Sequence, residues 1–201
     1  GTDALRYTLM TSSTPGNDMN LDPRRLEGAR NFANKIWQAA RFILMNLEEG
    51  EAITPLAELE ESRLLLEDRW IISRIHQLTG DVFKLMENYQ YGEAGRRIRD
   101  FLWDEFCDWY IEASKVRLYG DDPEADQEVP RTVLLTVLEH ALRLLHPFMP
   151  FVTEALWQAL PQEIKEREAL MIAAWPEQEP AYLDDEAEAQ MAALMDLIRG
   201  I

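Results

Sequence analysis

Residues 22–47 read DPRRLEGARNFANKIWQAARFILMNL. Asp22 followed by Pro23 is a helix start, because Asp accepts from the free N–H groups of a first turn and Pro fits the first helical position. Beyond it, Leu26, Ala33, Ile36, Trp37, Ala40, Ile43, Leu44 and Leu47 recur at helical spacing, so the stretch predicts one amphipathic helix ending near Leu47. A helix of this length needs partners of the same kind to cover its apolar side.

Those partners lie further along the chain. Residues 48–61 are acidic and broken by Gly50 and Pro55, and read as loop. A second helix starts near Asp68 and carries Trp70, Ile71, Ile75, Leu78, Val82, Leu85 and Tyr89 at spacings of mostly three and four; Tyr91-Gly92 is expected to break it. A third spans about Glu93–Tyr119 and is apolar on more than half its circumference, which predicts a central position. Residues 120–130 read as a loop with Pro123. A fourth helix runs from about Arg131 to His146, where Pro147 and Pro150 stop it, and a shorter one follows over Phe151–Leu160. Residues 161–182 are irregular, and Glu186–Ile198 is amphipathic through Met191, Leu194, Met195 and Ile198. Upstream of Asp22, residues 3–11 form a short helix with Leu5 and Leu9 on one side, followed by a turn-rich Thr11–Asp18. No stretch alternates as a strand would. The fold class is all-α, an antiparallel helical bundle with short connections.

The chain is 201 residues, 47% apolar and 28% charged, ordinary for a globular protein. Neither a membrane-spanning run nor a signal sequence is present in it. It lacks an initiator Met and opens on Gly1, as a piece excised from a longer polypeptide would. Cys107 is the one cysteine; beside Phe106 and Trp109 it reads as a buried small hydrophobe in a reducing compartment. The net charge of −17 argues against nucleic acid until its distribution is considered. Residues 48–68 hold eight acids and one base, and residues 161–201 ten acids and three bases, whereas residues 1–47 are slightly basic. A local basic face around residues 24–41 is compatible with that pattern.

On the first bundle helix Arg24, Asn31, Lys35 and Phe42 are spaced by seven, four and seven residues, which places them on one narrow stripe. Gln38 lies beside it and Arg41 flanks it, and the stripe is expected to lie nearly opposite the apolar seam. Two readings fit. Cations for phosphates, an amide for a base edge and an aromatic ring for stacking suit single-stranded RNA. Alternatively the polar residues are solvated surface and Phe42 packs under the 48–61 loop. Arg96, Arg97 and Arg99 either touch phosphate or are absorbed by Glu93 and Asp100 in weak surface ion pairs. His76, His140 and His146 lack metal-ligand spacing, and His146 reads as a helix end. The pairs Asp121-Asp122 and Asp184-Asp185 read as solvated charge. No phosphate loop or nucleophile elbow is present, so the residues alone make no case for catalysis.

Several strings resemble the valyl-tRNA synthetase family of class I enzymes. Gly1–Leu9 (GTDALRYTL) resembles the segment following that family's catalytic K-M-S-K-S loop, and Thr14–Asp18 (TPGND) its next turn. Arg30–Phe42 (RNFANKIWQAARF) is similar to its first bundle helix, and Glu105–Glu112 (EFCDWYIE) and Leu144–Phe151 (LLHPFMPF) to two later signatures. Ala174-Trp175-Pro176 resembles the close of the region. The H-P string is shared with the isoleucine, leucine and methionine enzymes; N-F-A-N-K and E-F-C-D-W-Y point to valine.

The resemblance implies a bundle of the class Ia synthetase anticodon-binding type over residues 21–160. Residues 1–20 would be a connector after the catalytic domain, and residues 161–201 an irregular segment beginning the link to a C-terminal coiled coil. It implies the tRNA(Val) anticodon stem-loop as partner, with A and C read as its second and third letters, and the catalytic domain of the same polypeptide as neighbour. Anticodon contacts would fall on Arg24, Lys35, Arg41, Phe42 and Ile111, with Asn31 and Gln38 beside them. A monomer in the cytoplasm is expected. This stretch would bind no cofactor, since the H-I-G-H and K-M-S-K-S signatures are missing from it and ATP belongs to the catalytic domain. The rival expectations are the same bundle from an isoleucine- or leucine-type enzyme, and a helical scaffold that binds no RNA.

Overall fold

The computed structural model describes residues 1–12, 22–47, 53–120 and 125–200, all helix and connection with no strand among them. The Thr14–Asp18 turn, part of the 48–61 loop and the Asp121-Asp122 pair lie outside these residues. The helices are α1 (Thr2–Thr11), α2 (Pro23–Met45), α3 (Leu66–Glu87), α4 (Tyr91–Asp100), α5 (Ile111–Tyr119), α6 (Glu128–Leu145), α7 (Pro150–Ala159) and α8 (Asp185–Arg199). Between α4 and α5 a π-helical segment, Phe101–Tyr110, makes one continuous rod of residues 91–119.

The rod forms the centre of a four-helix arrangement with α2, α3 and α6. Arg97 pairs with Asp81 and Arg74 with Glu105, so α3 runs antiparallel to the rod. Lys35 meets Asp108, and Phe42 meets Tyr119, so α2 lies beside the rod and runs parallel to it. α2, α3 and the rod therefore alternate in direction, and α2 and the rod form a side-by-side parallel seam.

Buried residues fill the centre: Ile36, Ile43, Ile71, Ile98, Leu102, Phe106, Leu134, Leu138 and Leu145 among them. α1 covers α2, α4 and α7, and α8 covers α3. The rod packs tightly on its neighbours at Gly95, where an added Cβ would lie 2.7 Å from Thr11 Cγ2 and 3.0 Å from a Phe148 ring carbon. Its carbonyl accepts from Tyr7 Oη at 2.9 Å.

Three local expectations change. Leu5 and Leu9 are exposed, and α1 buries Asp3, Ala4, Tyr7 and Thr8 instead; Asp3 accepts from the N–H groups of Phe151 and Val152 and caps α7. On α2 the buried face is Ala29, Phe32, Ile36, Ala39, Ala40 and Ile43, whereas Trp37 is 46% exposed. The break after α3 falls at Asn88–Gln90, not at Tyr91-Gly92. Tyr89 takes the left-handed conformation (φ 59°) and the Gln90 N–H reaches Leu85 O at 2.8 Å, the bond pattern that closes a helix around a left-handed residue. Asp68 sits inside the first turn of α3, where it accepts from Leu65 N.

His76 and His140 meet edge to face at 5.2 Å beneath Tyr182, whose ring stacks on His76 at 4.8 Å. His76 Nδ1 accepts from the Glu179 N–H at 3.1 Å, and His140 Nε2 lies 2.8 Å from Thr79 Oγ1. Burial pushes His76 down to about 4 and His140 to about 3. The unfolded chain protonates near 6.5, so it takes up protons that the folded chain excludes. The stabilisation is complete above about pH 6.5 and is lost as pH falls toward about 4. Urea denaturation at pH 7.5, 6 and 5 should show a loss of about 1–2 kcal/mol per ring by pH 5. His76→Gln should flatten that slope; an unchanged slope would contradict the assignment.

Candidate nucleic-acid interface

Of the residues singled out in the sequence, Lys35 and Phe42 meet the rod, and Arg24, Asn31 and Gln38 lie on the exposed side of α2. Asp22 caps α2 by accepting from Arg24 N at 2.9 Å, and its carboxylate holds the Arg24 guanidinium at 3.0 Å on an otherwise open surface. Asn31 and Gln38 are exposed. The Lys35 Nζ lies 2.5 Å from Asp108 Oδ1 and 4.1 Å from the centre of the Trp103 ring. Phe42 is half-buried; its ring meets that of Tyr119 edge-on at 6.2 Å, and the Lys115 Nζ lies 5.5 Å from its centre.

The stripe therefore borders the buried face of α2 and does not oppose it. The shift follows from Phe32 and Ala39 belonging to the core and Trp37 not belonging to it. Phe42 is explained as well: the ring on the polar edge is the point at which α2 meets α5.

The π segment sets what Lys35 meets. Trp103 and Asp108 are five residues apart, which in a regular α-helix separates side chains by about 140° around the axis. In a π-helix N–H and C=O groups five apart bond to each other, so side chains five apart lie nearly one above the other. Lys35 thus reaches both. The same repeat stacks the rings of Phe101 and Phe106, 6.5 Å apart and nearly parallel.

Ile111 and Arg41 lie apart from these. Ile111 is 6% exposed and offers almost no face of its own, because it opens α5 on the side packed into the core. Arg41 lies on the other flank of α2, where it lines a cleft of about 300 Å³ with Trp37, Leu44, Met45, Leu156 and Ala159.

Trp103, Lys115 and Tyr119 complete the seam and were not identified from sequence. A signal existed, since Arg99 and Trp103 are four apart, as are Lys115 and Tyr119, but a single-helix reading does not say which helix the rod will face. Tyr119 is 62% exposed. Cys107 is buried, its thiol pushed up to about 12 by burial, as expected of a small packing residue. Among the described residues no cluster of three His, Cys, Asp or Glu side chains is placed to hold a metal ion, and no helix is long and apolar enough to cross a membrane. Chemically, the seam presents half-buried rings, the exposed Tyr119 and two lysines that are each paired with a carboxylate, Lys35 with Asp108 and Lys115 with Glu112, so an anion would have to compete with those carboxylates.

Comparison with known proteins agrees with this architecture. The chain is 48% identical over 205 aligned residues to a valine–tRNA ligase of Dehalococcoides mccartyi (strain CBDB1), and 49% identical over 201 residues to that of Carboxydothermus hydrogenoformans. A third, from Geobacillus stearothermophilus, is 45% identical. Each match covers 100% of this chain and 22% of the relative, so the chain spans about a fifth of the length of these relatives. Among solved structures, a chain from a ternary LeuRS-tRNA-LeuAMS complex of Agrobacterium radiobacter K84 superposes with a TM-score of 0.66 at 22% identity, covering 92% of this chain and 20% of that one. That likeness establishes the bundle fold. The family model described as the anticodon-binding domain of tRNA ligase matches residues 68–201, two thirds of the sequence. This chain belongs to the family of tRNA-ligase anticodon-binding domains.

Proposed function

We propose that this chain is the anticodon-reading bundle of a valine–tRNA ligase, and that the α2–rod seam is the surface that meets the anticodon loop of tRNA(Val). The observation that carries it is the joint placement of Phe42, Tyr119, Trp103, Lys35 and Lys115 along one exposed edge of a bundle 48% identical to part of such an enzyme. Rings there stack on unpaired bases and the cations engage phosphates. Arg24, exposed at the start of α2, extends the cationic edge, and Asn31 and Gln38 supply amides for base edges. Arg41 contacts RNA only if the loop wraps over the outer face of α2. Ile111 contributes shape from beneath.

In the parent enzyme a catalytic domain joins valine to tRNA with ATP, and these residues position the tRNA and form no bond. Residues 1–20 lead from that domain, residues 21–160 form the reading bundle, and residues 161–201 lead toward a C-terminal coiled coil, with α8 docked on α3 on the way. The parent works in the cytoplasm as a monomer, and this stretch holds no cofactor of its own.

The test is a titration with a valine anticodon stem-loop and with a hairpin whose A and C letters are exchanged, at two salt concentrations. The cognate hairpin should bind more tightly, and both affinities should fall with salt. Equal affinity for the two would remove the valine assignment, and binding of neither would remove RNA reading by the isolated chain.

A further inference from the structure

At its lower end the seam opens into a cleft of about 400 Å³ between α1, α2 and α4. Three arginines from two helices line it: Arg25 of α2, and Arg96 and Arg99 of α4, with Asp100 the one acid among the lining residues. Two of them are anchored. Arg25 Nη1 donates to Ser12 O at 3.2 Å, and Arg96 Nη1 to Thr11 O at 2.8 Å, so both guanidiniums are held against the last carbonyls of α1. Glu93 also takes Arg96, and Asp100 takes Arg99 at 2.7 Å. In a protein of net charge −17, three guanidiniums converging on one cleft against one lining carboxylate is a local reversal of sign. Gly28 lines the wall contributed by α2, and an added Cβ there would meet nothing within 4 Å.

We infer that this cleft is a phosphate-binding site for the backbone of the RNA stem whose loop lies on the seam. The inference rests on the proposed RNA-reading function and adds a second point of attachment to it. Convergent arginines match the oxygens of a phosphodiester. Gly28 and Phe42 are 14 residues apart on one helix, about 21 Å along its axis. A stacked A-form strand covers that distance in several nucleotides. Bases at Phe42 and a phosphate at the cleft are thus separated by roughly the distance from a loop into its stem. A backbone site carries no letter information, so it adds affinity and orientation and leaves selectivity to the other end.

The experiment measures hairpin affinity against salt for the wild-type chain, for Arg25→Gln/Arg96→Gln and for Gly28→Gln. The last fills the cleft, keeps every arginine and replaces a mid-helix glycine with a better helix former. The double variant should bind cognate and letter-exchanged hairpins more weakly by the same factor, with the salt slope lowered by about 1. Gly28→Gln should reproduce the uniform loss, with thermal melting no lower than wild type. A salt slope unchanged in the double variant, or full affinity in Gly28→Gln, overturns the cleft while wild-type hairpin binding still stands. A loss confined to the cognate hairpin also overturns it. Saturable binding of inorganic phosphate that disappears in the double variant, with hairpin binding unaffected, would assign the cleft to free phosphate and overturn the RNA backbone as its ligand. Absence of hairpin binding by the wild-type chain overturns the cleft and the RNA-reading function together.

Discussion

Asp68→Ala is expected to cost about 3–5 kcal/mol of folding stability, a large share of the roughly 5–15 kcal/mol that holds a domain together. The Asp68 side chain is fully enclosed. One oxygen accepts from the Leu65 N–H at 2.9 Å; the other accepts from Tyr110 Oη at 2.7 Å and from Arg117 Nη2. Arg117 is itself 11% exposed, and its other acid, Glu67, stands 3.8 Å away. Truncation to alanine leaves an enclosed guanidinium poorly compensated and a phenol and an N–H unpaired. These three partners come from the start of α3, the end of the π segment and α5, so the carboxylate fixes α3 against the half of the rod that carries Lys115 and Tyr119. Urea denaturation measures the loss. Because replacing both members of a buried ion pair with apolar groups is often nearly neutral, Asp68→Leu/Arg117→Met should be more stable than Asp68→Ala alone. A loss below about 1 kcal/mol in Asp68→Ala would show that water enters and solvates Arg117, contrary to the enclosed network.

Asp68 also shows where the sequence is legible and where it is not. Its position just before Trp70-Ile71 marks a helix start correctly to within two residues, and the α3 seam from Trp70 to Val82 is buried as the spacing requires. What the spacing does not contain is that the same carboxylate answers Arg117, 49 residues away. Local signals such as Asp22-Pro23 and Pro150 at the start of α7 act within one turn and are readable, whereas Asp184, read as solvated charge, caps α8 by accepting from Ala187 N. Side-chain size misleads at Trp37 and Leu5, because a large apolar residue is not obliged to be inside, whereas the small Ala29, Ala39 and Ala40 are there because helices approach closely at them. The π segment escapes a reading that assumes 3.6 residues per turn throughout, and it is what brings Trp103 and Asp108 to Lys35. The candidate site was thus half legible. The α2 edge could be drawn from one helix, but its facing half depended on a change of helical pitch and on which neighbour lay alongside.

Phe42→Ala should lower affinity for the cognate anticodon hairpin by about 1–3 kcal/mol, the value of one aromatic stacking platform. Phe42 is half-buried and touches Tyr119 and Lys115, so alanine also removes packing, and a loss of binding alone would not distinguish a missing platform from a displaced α5. Phe42→Leu separates the two. It keeps most of the apolar volume between α2 and α5 and removes the ring face, so melting should stay near wild type while affinity falls. Tyr119→Ala gives the independent arm, because a ring 62% exposed contributes little to folding and its loss should appear almost wholly in binding. If bases are read at this end of the seam, these substitutions should compress the ratio between cognate and letter-exchanged hairpins, whereas the arginine substitutions at the cleft should leave the ratio intact. If Phe42→Leu and Tyr119→Ala both retained full affinity and full selectivity, stacking at the α2–α5 contact would be ruled out. The base-reading surface would then have to be sought on the opposite flank of α2, where Trp37 and Arg41 border the apolar cleft against α7.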